Sequence, residues 1–231
     1  MAQASGVTLK VLSSNGMHSS LAELAPQFEA ASGHQLAITY DTGVGFNERV
    51  ARGERGDVAL ITVPIIEKLA KQGITNGPRG LARSGAGVGV RAGAAKPDIG
   101  TVEAFKRALL GTQSITYTRQ GASGIYFAGL IEKLGIAAEV RAKATTPDGG
   151  LVGELVVAGK TEMAIQQIPE LIAVKGVDVV GPFPREVQVY TEMAATTFAN
   201  APNAAAAQAL VDFLVTPAAL KVYRDKGMET A

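Results

Sequence analysis

Short apolar runs alternate along this chain with stretches in which apolar residues recur every third or fourth position, the pattern of strands each followed by a helix. Thr8 to Ser13 predicts a buried strand, and Met17, Leu21, Leu24, Ala25 and Phe28 then keep helical spacing until Gly33 supplies a left-handed stop. Leu36, Ile38 and Tyr40 alternate as a second strand, with a short helix through Phe46 and Val50 that ends near Gly53. Val58 to Ile61 is a third apolar run, and Pro64 suits the first turn of a helix that Gly73 closes. Repeated strand–helix units of this kind predict a parallel sheet.

The pattern continues after a Gly- and Pro-rich turn at Asn76 to Gly80. A glycine-interleaved strand is expected over Ala86 to Arg91, then a helix through Phe105 and Leu109 capped by Thr101. Ser114 to Thr118 predicts a strand, Arg119 to Ser123 a tight polar turn, and Gly124 to Leu134 a helix closed by Gly135. Leu151 to Val157 and Ile168 to Val174 have helical spacing, with Met163 to Ile165 a short strand between them. Val187 to Val189 and Ala194 to Phe198 are expected as strands, followed by helices over Asn203 to Val215 and Ala218 to Lys226 around the Thr216-Pro217 break.

Small hydrogen-bonding residues collect where a predicted strand meets a predicted helix: Ser13-Ser14-Asn15-Gly16, Thr42-Gly43, Thr62, Arg119 to Ser123, and Gln166-Gln167. In open parallel sheets such turns share the carboxyl edge, where helix N-termini point free amides at a ligand. Each of these residues singly is an ordinary cap; their coincidence is what suggests an anion site. Gly121, Ala122 and Ser123 would let backbone approach a ligand closely. Arg119 could grip a carboxylate with both arms of its guanidinium. Gln166 could donate its amide, and Arg83-Ser84 fall where the chain is expected to cross between lobes. Asp57 is expected to be a turn or capping group and His18 a surface residue.

Composition narrows the ligand. With 22 basic and 21 acidic side chains and no basic cluster, neither nucleic acid nor an anionic membrane is an expected partner. The absence of cysteine and the presence of only two histidines, His18 and His34, argue against a metal site, and no cofactor is expected. At 231 residues the chain suits two lobes, taken as residues 1–84 with 190–231 and residues 85–189. Ala2-Gln3-Ala4 has the small-x-small pattern of a secretion cleavage site, so a periplasmic location without the signal peptide is expected.

Several segments together resemble the periplasmic molybdate-binding-like proteins, within the type II solute-binding fold. They are Val11-Leu12-Ser13-Ser14 with the helix through Phe28 and Gly33, Tyr40-Asp41-Thr42-Gly43-Val44, Arg52-Gly53 with Gly56-Asp57-Val58, the helix Ile65 to Gly73, and Gly121-Ala122-Ser123-Gly124. The ending, Ala209 to Leu214, Thr216-Pro217-Ala218 and Lys226-Gly227-Met228-Glu229, is similar too. The resemblance implies an α/β protein of two lobes joined by two crossovers, each lobe a mostly parallel sheet flanked by helices, with the ligand between lobes. It also implies that the first-loop serine ligand of molybdate binders corresponds to Gly16, the second-loop serine to Thr42, and a late tyrosine ligand to Gln166.

Two donors are thus lost, while Arg119 and Arg83 are candidates for gained cations. This substitution favours a small organic di- or tricarboxylate over a molybdate-type oxyanion. Two functions stay open. One is passive capture by a monomer and delivery to a membrane permease. The other is proton transfer on a bound tricarboxylate, because aconitate isomerases also resemble this family. For the latter, Asp41, Tyr117 and Glu154 are present as acid–base groups, with none distinguished.

Overall fold

The computed structural model describes residues 6–230, so Ala2-Gln3-Ala4 lie outside the described residues. The chain divides into two compact units: the residues up to Arg83 together with those from Glu192 onward, and Ser84–Thr191.

In chain order, β1 (Thr8–Ser14) leads through a single 3-10 turn (Asn15–Met17) into α1 (His18–Ser32). β2 (Gln35–Asp41), α2 (Gly43–Ala51), β3 (Val58–Thr62) and α3 (Val63–Lys71) follow, as the periodicity predicts. Gly33, at φ 75°, ends α1, and Gly73 turns the chain after α3. β4 (Arg79–Arg91) carries the chain out of the first unit at Arg83. α4 (Val102–Gly111), β5 (Ile115–Thr116), α5 (Ala122–Lys133), α6 (Ala137–Arg141), β6 (Ala144–Thr145), α7 (Gly153–Val157), β7 (Met163–Gln167), α8 (Ile168–Ile172) and β8 (Val177–Pro182) follow. β9 (Tyr190–Thr197) returns the chain at Glu192, and α9 (Ala204–Phe213) and α10 (Pro217–Asp225) complete the first unit.

Within the first unit the strands run in the order β2-β1-β3-β9. β1 is parallel to β2 and β3, and β9 is antiparallel to β3. The apolar run of β3 is continuous because that strand is covered on both faces. Leu9, Val11, Val58 and Leu60 pack with Leu21, Leu24 and Phe28 of α1 and with Leu210 and Tyr223 of α9 and α10. The alternate residues Leu12, Ala59 and Ile61 pack with Phe46, Ile66 and Leu69. Each fully buried Val, Leu, Ile or Phe among them contributes roughly 1.5–3 kcal/mol of burial free energy.

In the second unit the order is β6-β5-β7-β4-β8. β5 is parallel to β6 and β7, and β4 is antiparallel to β7 and β8. Each of the mostly parallel sheets expected thus also carries antiparallel pairing. Ile115, Met163, Ile165 and Val88 form one core with Phe105, Leu109, Phe127 and Ile131. On the other face a side chain at Gly87 or Gly89 would come within 2.8 Å of Ile168 or 2.9 Å of Leu171, so the bare strand lets α8 settle directly on β4.

Three expectations need correction. Val187 to Val189 does not form a strand: Arg185–Val187 is a 3-10 turn, and the neighbouring Gln188 uses its side chain on the backbone of β4. The strand over Ala86 to Arg91 begins earlier, at Arg79, because Arg83 pairs backbone to backbone with Glu229. Finally, Ala122 and Ser123 open α5 instead of belonging to the turn before it, and Gly121 is its N-cap.

Candidate functional site

The parallel register in the first unit pairs Ser14 with Asp41 and Ser13 with Leu60, so β1, β2 and β3 end at one edge. Ser13, Ser14 and Thr42 are buried there, beside Gly16, Asn15, Gly43 and Thr62. The Ser13 hydroxyl donates to the Ser14 carbonyl at 3.2 Å, and Ser14 Oγ accepts the Gly16 N–H at 3.2 Å. Thr42 Oγ1 accepts the Gly45 N–H at 3.0 Å, capping α2. Thr42 N–H in turn donates to Asp41 Oδ1 at 2.8 Å.

Asp41 does not leave a free negative charge at this edge. Its other oxygen accepts Arg49 Nε–H at 2.7 Å, Arg49 reaches Glu54 at 3.2 Å, and Lys10 reaches Glu54 at 2.9 Å. Hydrogen bonds from Lys10 and then Arg49 hold the Glu54 carboxyl below its ordinary range. His18 lies with its ring 4.6 Å from that of Tyr40, and burial pushes the Tyr40 phenol up to about 12, so it keeps its proton at neutral pH.

Arg83 lines a cavity of about 430 Å³ in the first unit with Val63, Leu81, Glu192 and Glu229. Its guanidinium pairs with Glu229 at 2.7 Å. The cation expected at this point is thus matched by a carboxylate of its own chain.

In the second unit β5, β6 and β7 are parallel, so the loops after them share an edge as well. Two of those loops are joined: Arg119 N–H donates to the Pro147 carbonyl at 2.8 Å, and Gln120 N–H to the Asp148 carbonyl at 3.1 Å. The Arg119 side chain adds an exposed ion pair with Asp148, with Nε 2.8 Å from Oδ1. Behind the loop, a Cβ on Gly124 would stand 1.8 Å from the Thr118 carbonyl oxygen, so only glycine lets α5 start this close to the strand end. Ser123 is buried in that first turn, beside Ala122 and Gly121.

Gln166 is buried, and both ends of its amide are engaged. Its oxygen accepts the Val152 N–H at 3.0 Å, and its nitrogen donates to the Gly150 carbonyl at 2.8 Å. It therefore ties β7 to the loop before α7. Ser84 donates its hydroxyl to the Gln167 side-chain oxygen, and Gln167 N–H donates to Glu170 Oε2 at 3.2 Å. Burial pushes the Glu170 carboxyl up to about 7, against hydrogen bonds from Gln167 and Gln166 that act in the other direction.

Thus Ser13, Ser14, Asn15, Gly16, Thr42 and Gly43 gather at the edge of the first unit, and Arg119, Gly121, Ala122, Ser123 and Gln166 at that of the second. Among the acid–base groups named from sequence, Tyr117 is buried with its ring 5.0 Å from that of Phe127, and Glu154 is exposed. Sequence reasoning passed over Asp148 and Glu170. Nothing local marks Asp148, but Gln167-Ile168-Pro169-Glu170 has the spacing of a capping box.

Mixed sheets flanked by helices, with helix-opening loops at the carboxyl ends of parallel strands, are the architecture of periplasmic binding proteins. The chain belongs to the bacterial extracellular solute-binding protein family, whose sequence profile matches residues 9–229. It is 34% identical over 230 residues to an aconitate isomerase from Pseudomonas sp., covering 96% of this chain and 87% of the relative. Among solved structures it superposes on the periplasmic molybdate-binding protein of Azotobacter vinelandii with a TM-score of 0.81 at 18% identity, covering 96% and 99% of the two chains. The sulfate-binding protein SubI of Mycobacterium tuberculosis gives a TM-score of 0.71 at 20% identity, covering 96% and 86%.

Proposed function

We propose that this protein is the periplasmic binding component of a bacterial uptake system, capturing a small organic di- or tricarboxylate and handing it to a membrane permease. The observation that carries this reading is the gathering, at each unit's loop edge, of buried hydroxyls and helix-opening amides suited to negative charge. By the resemblance, Gly16 and Gln166 take the positions of the molybdate binders' hydroxyl ligands, and Gln166 is occupied within its own unit, which favours carboxylate over molybdate. Arg119, on the exposed rim of its loop, has the planar fork that grips a carboxylate.

A second reading is proton transfer on a bound tricarboxylate. The identity to a relative named aconitate isomerase, over nearly the whole chain, favours it.

One experiment separates these readings. Thermal unfolding is followed with molybdate, tungstate, sulfate, citrate and the two aconitates; a ligand at a hundred times its dissociation constant adds about 2.7 kcal/mol of stability. Stabilisation by a carboxylate is the expected result, and stabilisation by molybdate with no carboxylate active overturns the assignment. Incubating the protein with either aconitate and separating the acids by chromatography then decides between capture and isomerisation.

A further inference from the structure

Glu170 is a carboxylic acid that the second unit buries at its loop edge, leaving 7% of the residue exposed. Its surroundings give it hydrogen bonds from Gln167 and Gln166 and no cation among the described residues. On β4, which packs against α8, Arg79 is exposed and Arg83 pairs with Glu229. Asp178 of β8 accepts the Gly93 N–H at 3.2 Å, while Glu154 of α7 and Arg91 of β4 are exposed. β7 contributes only Met163, Ala164, Ile165, Gln166 and Gln167.

A carboxylate buried without a cation is costly, and the fold relieves that cost by retaining the proton. The group is also tied to the candidate site. Glu170 holds the Gln167 backbone, Gln167 accepts from Ser84, and Gln166 joins the loop at Gly150 and Val152 that follows the Arg119–Asp148 contact. An anion placed on this edge would add like charge to the unit that buries Glu170 and so favour its neutral form. Because such coupling is reciprocal, a protonated Glu170 must then favour the anion.

We propose that anion binding at the loop edge of the second unit is coupled to proton uptake by Glu170, so that the anion is captured together with a proton. This rests on the anion-binding reading above and adds to it a condition on which form of the protein binds.

The test is calorimetric titration of the whole chain with sulfate, which carries no titrating group in this range, and with trans-aconitate, in buffers of differing ionisation enthalpy. Wild type is expected to take up part of a proton on binding. Its dissociation constant should rise by about tenfold between about pH 6 and about pH 8 as Glu170 ionises. Glu170→Gln, which keeps an acceptor for the Gln167 N–H, should bind with no proton uptake and a flat profile. Should that variant fail to fold, carbon NMR of the Glu170 carboxyl in wild type serves instead: saturation with whichever of the two anions binds must move its titration midpoint upward. Binding without proton uptake, an equal pH dependence in the variant, or an unmoved midpoint overturns the coupling while leaving anion binding intact. Failure of both anions to bind at any pH overturns both.

Discussion

Asp41 and Arg49 are joined across α2 by a hydrogen bond of 2.7 Å, and the same carboxylate accepts the Thr42 N–H at 2.8 Å. The pair fixes the turn that presents Thr42 and Gly43. Because the hydrogen bond from Arg49 to the loop runs to Asp41, Arg49→Gln should leave the fold intact and weaken anion binding roughly two- to thirtyfold. Unchanged affinity, measured by calorimetry beside an unchanged circular dichroism spectrum, would show that the pair does not shape the loop.

Asp57 is a buried carboxylate that binds three donors: the Lys10 N–H at 2.8 Å, the Asn203 N–H at 3.0 Å and the Asn203 side-chain amide at 3.2 Å. Asp57→Ala strands these groups, each unsatisfied buried donor costing about 1–3 kcal/mol. A loss of at least about 2 kcal/mol is expected in urea unfolding, while Asp57→Asn should lose less because it keeps an acceptor.

Gly124→Ala places a methyl group 1.8 Å from the Thr118 carbonyl, which is backbone and cannot rotate away. The start of α5 must shift, at a cost of about 1–3 kcal/mol. A denaturant midpoint equal to wild type would contradict the close approach.

Arg119 and Asp148 are both more than half exposed, at 63% and 58% of their side chains, so their ion pair should matter little to folding. Arg119→Ala is expected to change the melting temperature by no more than a degree or two, roughly, and to weaken carboxylate binding by about tenfold or more. Equal affinity in the variant would remove Arg119 from the site.

Glu170 also sets a pH dependence of stability. Its carboxyl rises from an ordinary 4.5 to about 7 on folding, so between these values the folded chain holds more protons than the unfolded one. Stability therefore falls as pH climbs through that window, and the penalty is complete above it, reaching on the order of 3 kcal/mol. Glu170→Gln should remove this slope, so the variant gains on wild type as the pH is raised from about 5 to about 8 in chemical denaturation.

Sequence alone conveyed the order of strands and helices because burial on both faces leaves continuous apolar runs such as Val58 to Ile61, and because Gly33 and Gly73 mark helix ends. It failed where a side chain or a distant segment substitutes for a strand. Gln188 accepts the Ala86 N–H at 3.1 Å and donates to the Ala86 carbonyl at 2.9 Å, so Val187 to Val189 needed no strand of its own. Arg83 takes its backbone partner from Glu229, 146 positions away, which no local pattern reveals. The candidate loops were legible as places, since small polar residues before helices are conspicuous. Their commitments were not: Arg119 to Asp148, Arg83 to Glu229 and Gln166 to its neighbouring loop are all formed by tertiary contact.

The Arg119–Asp148 contact has a consequence for selectivity. A guest that takes the Nε–Nη2 edge of the guanidinium, the edge Asp148 occupies, displaces a resident carboxylate, and a solute with one negative charge then replaces one such partner with another, for little advantage. A solute with two or three charges can satisfy Arg119 and still engage the amides that open α5. Discrimination would then follow the number of charges a molecule carries more than its outline.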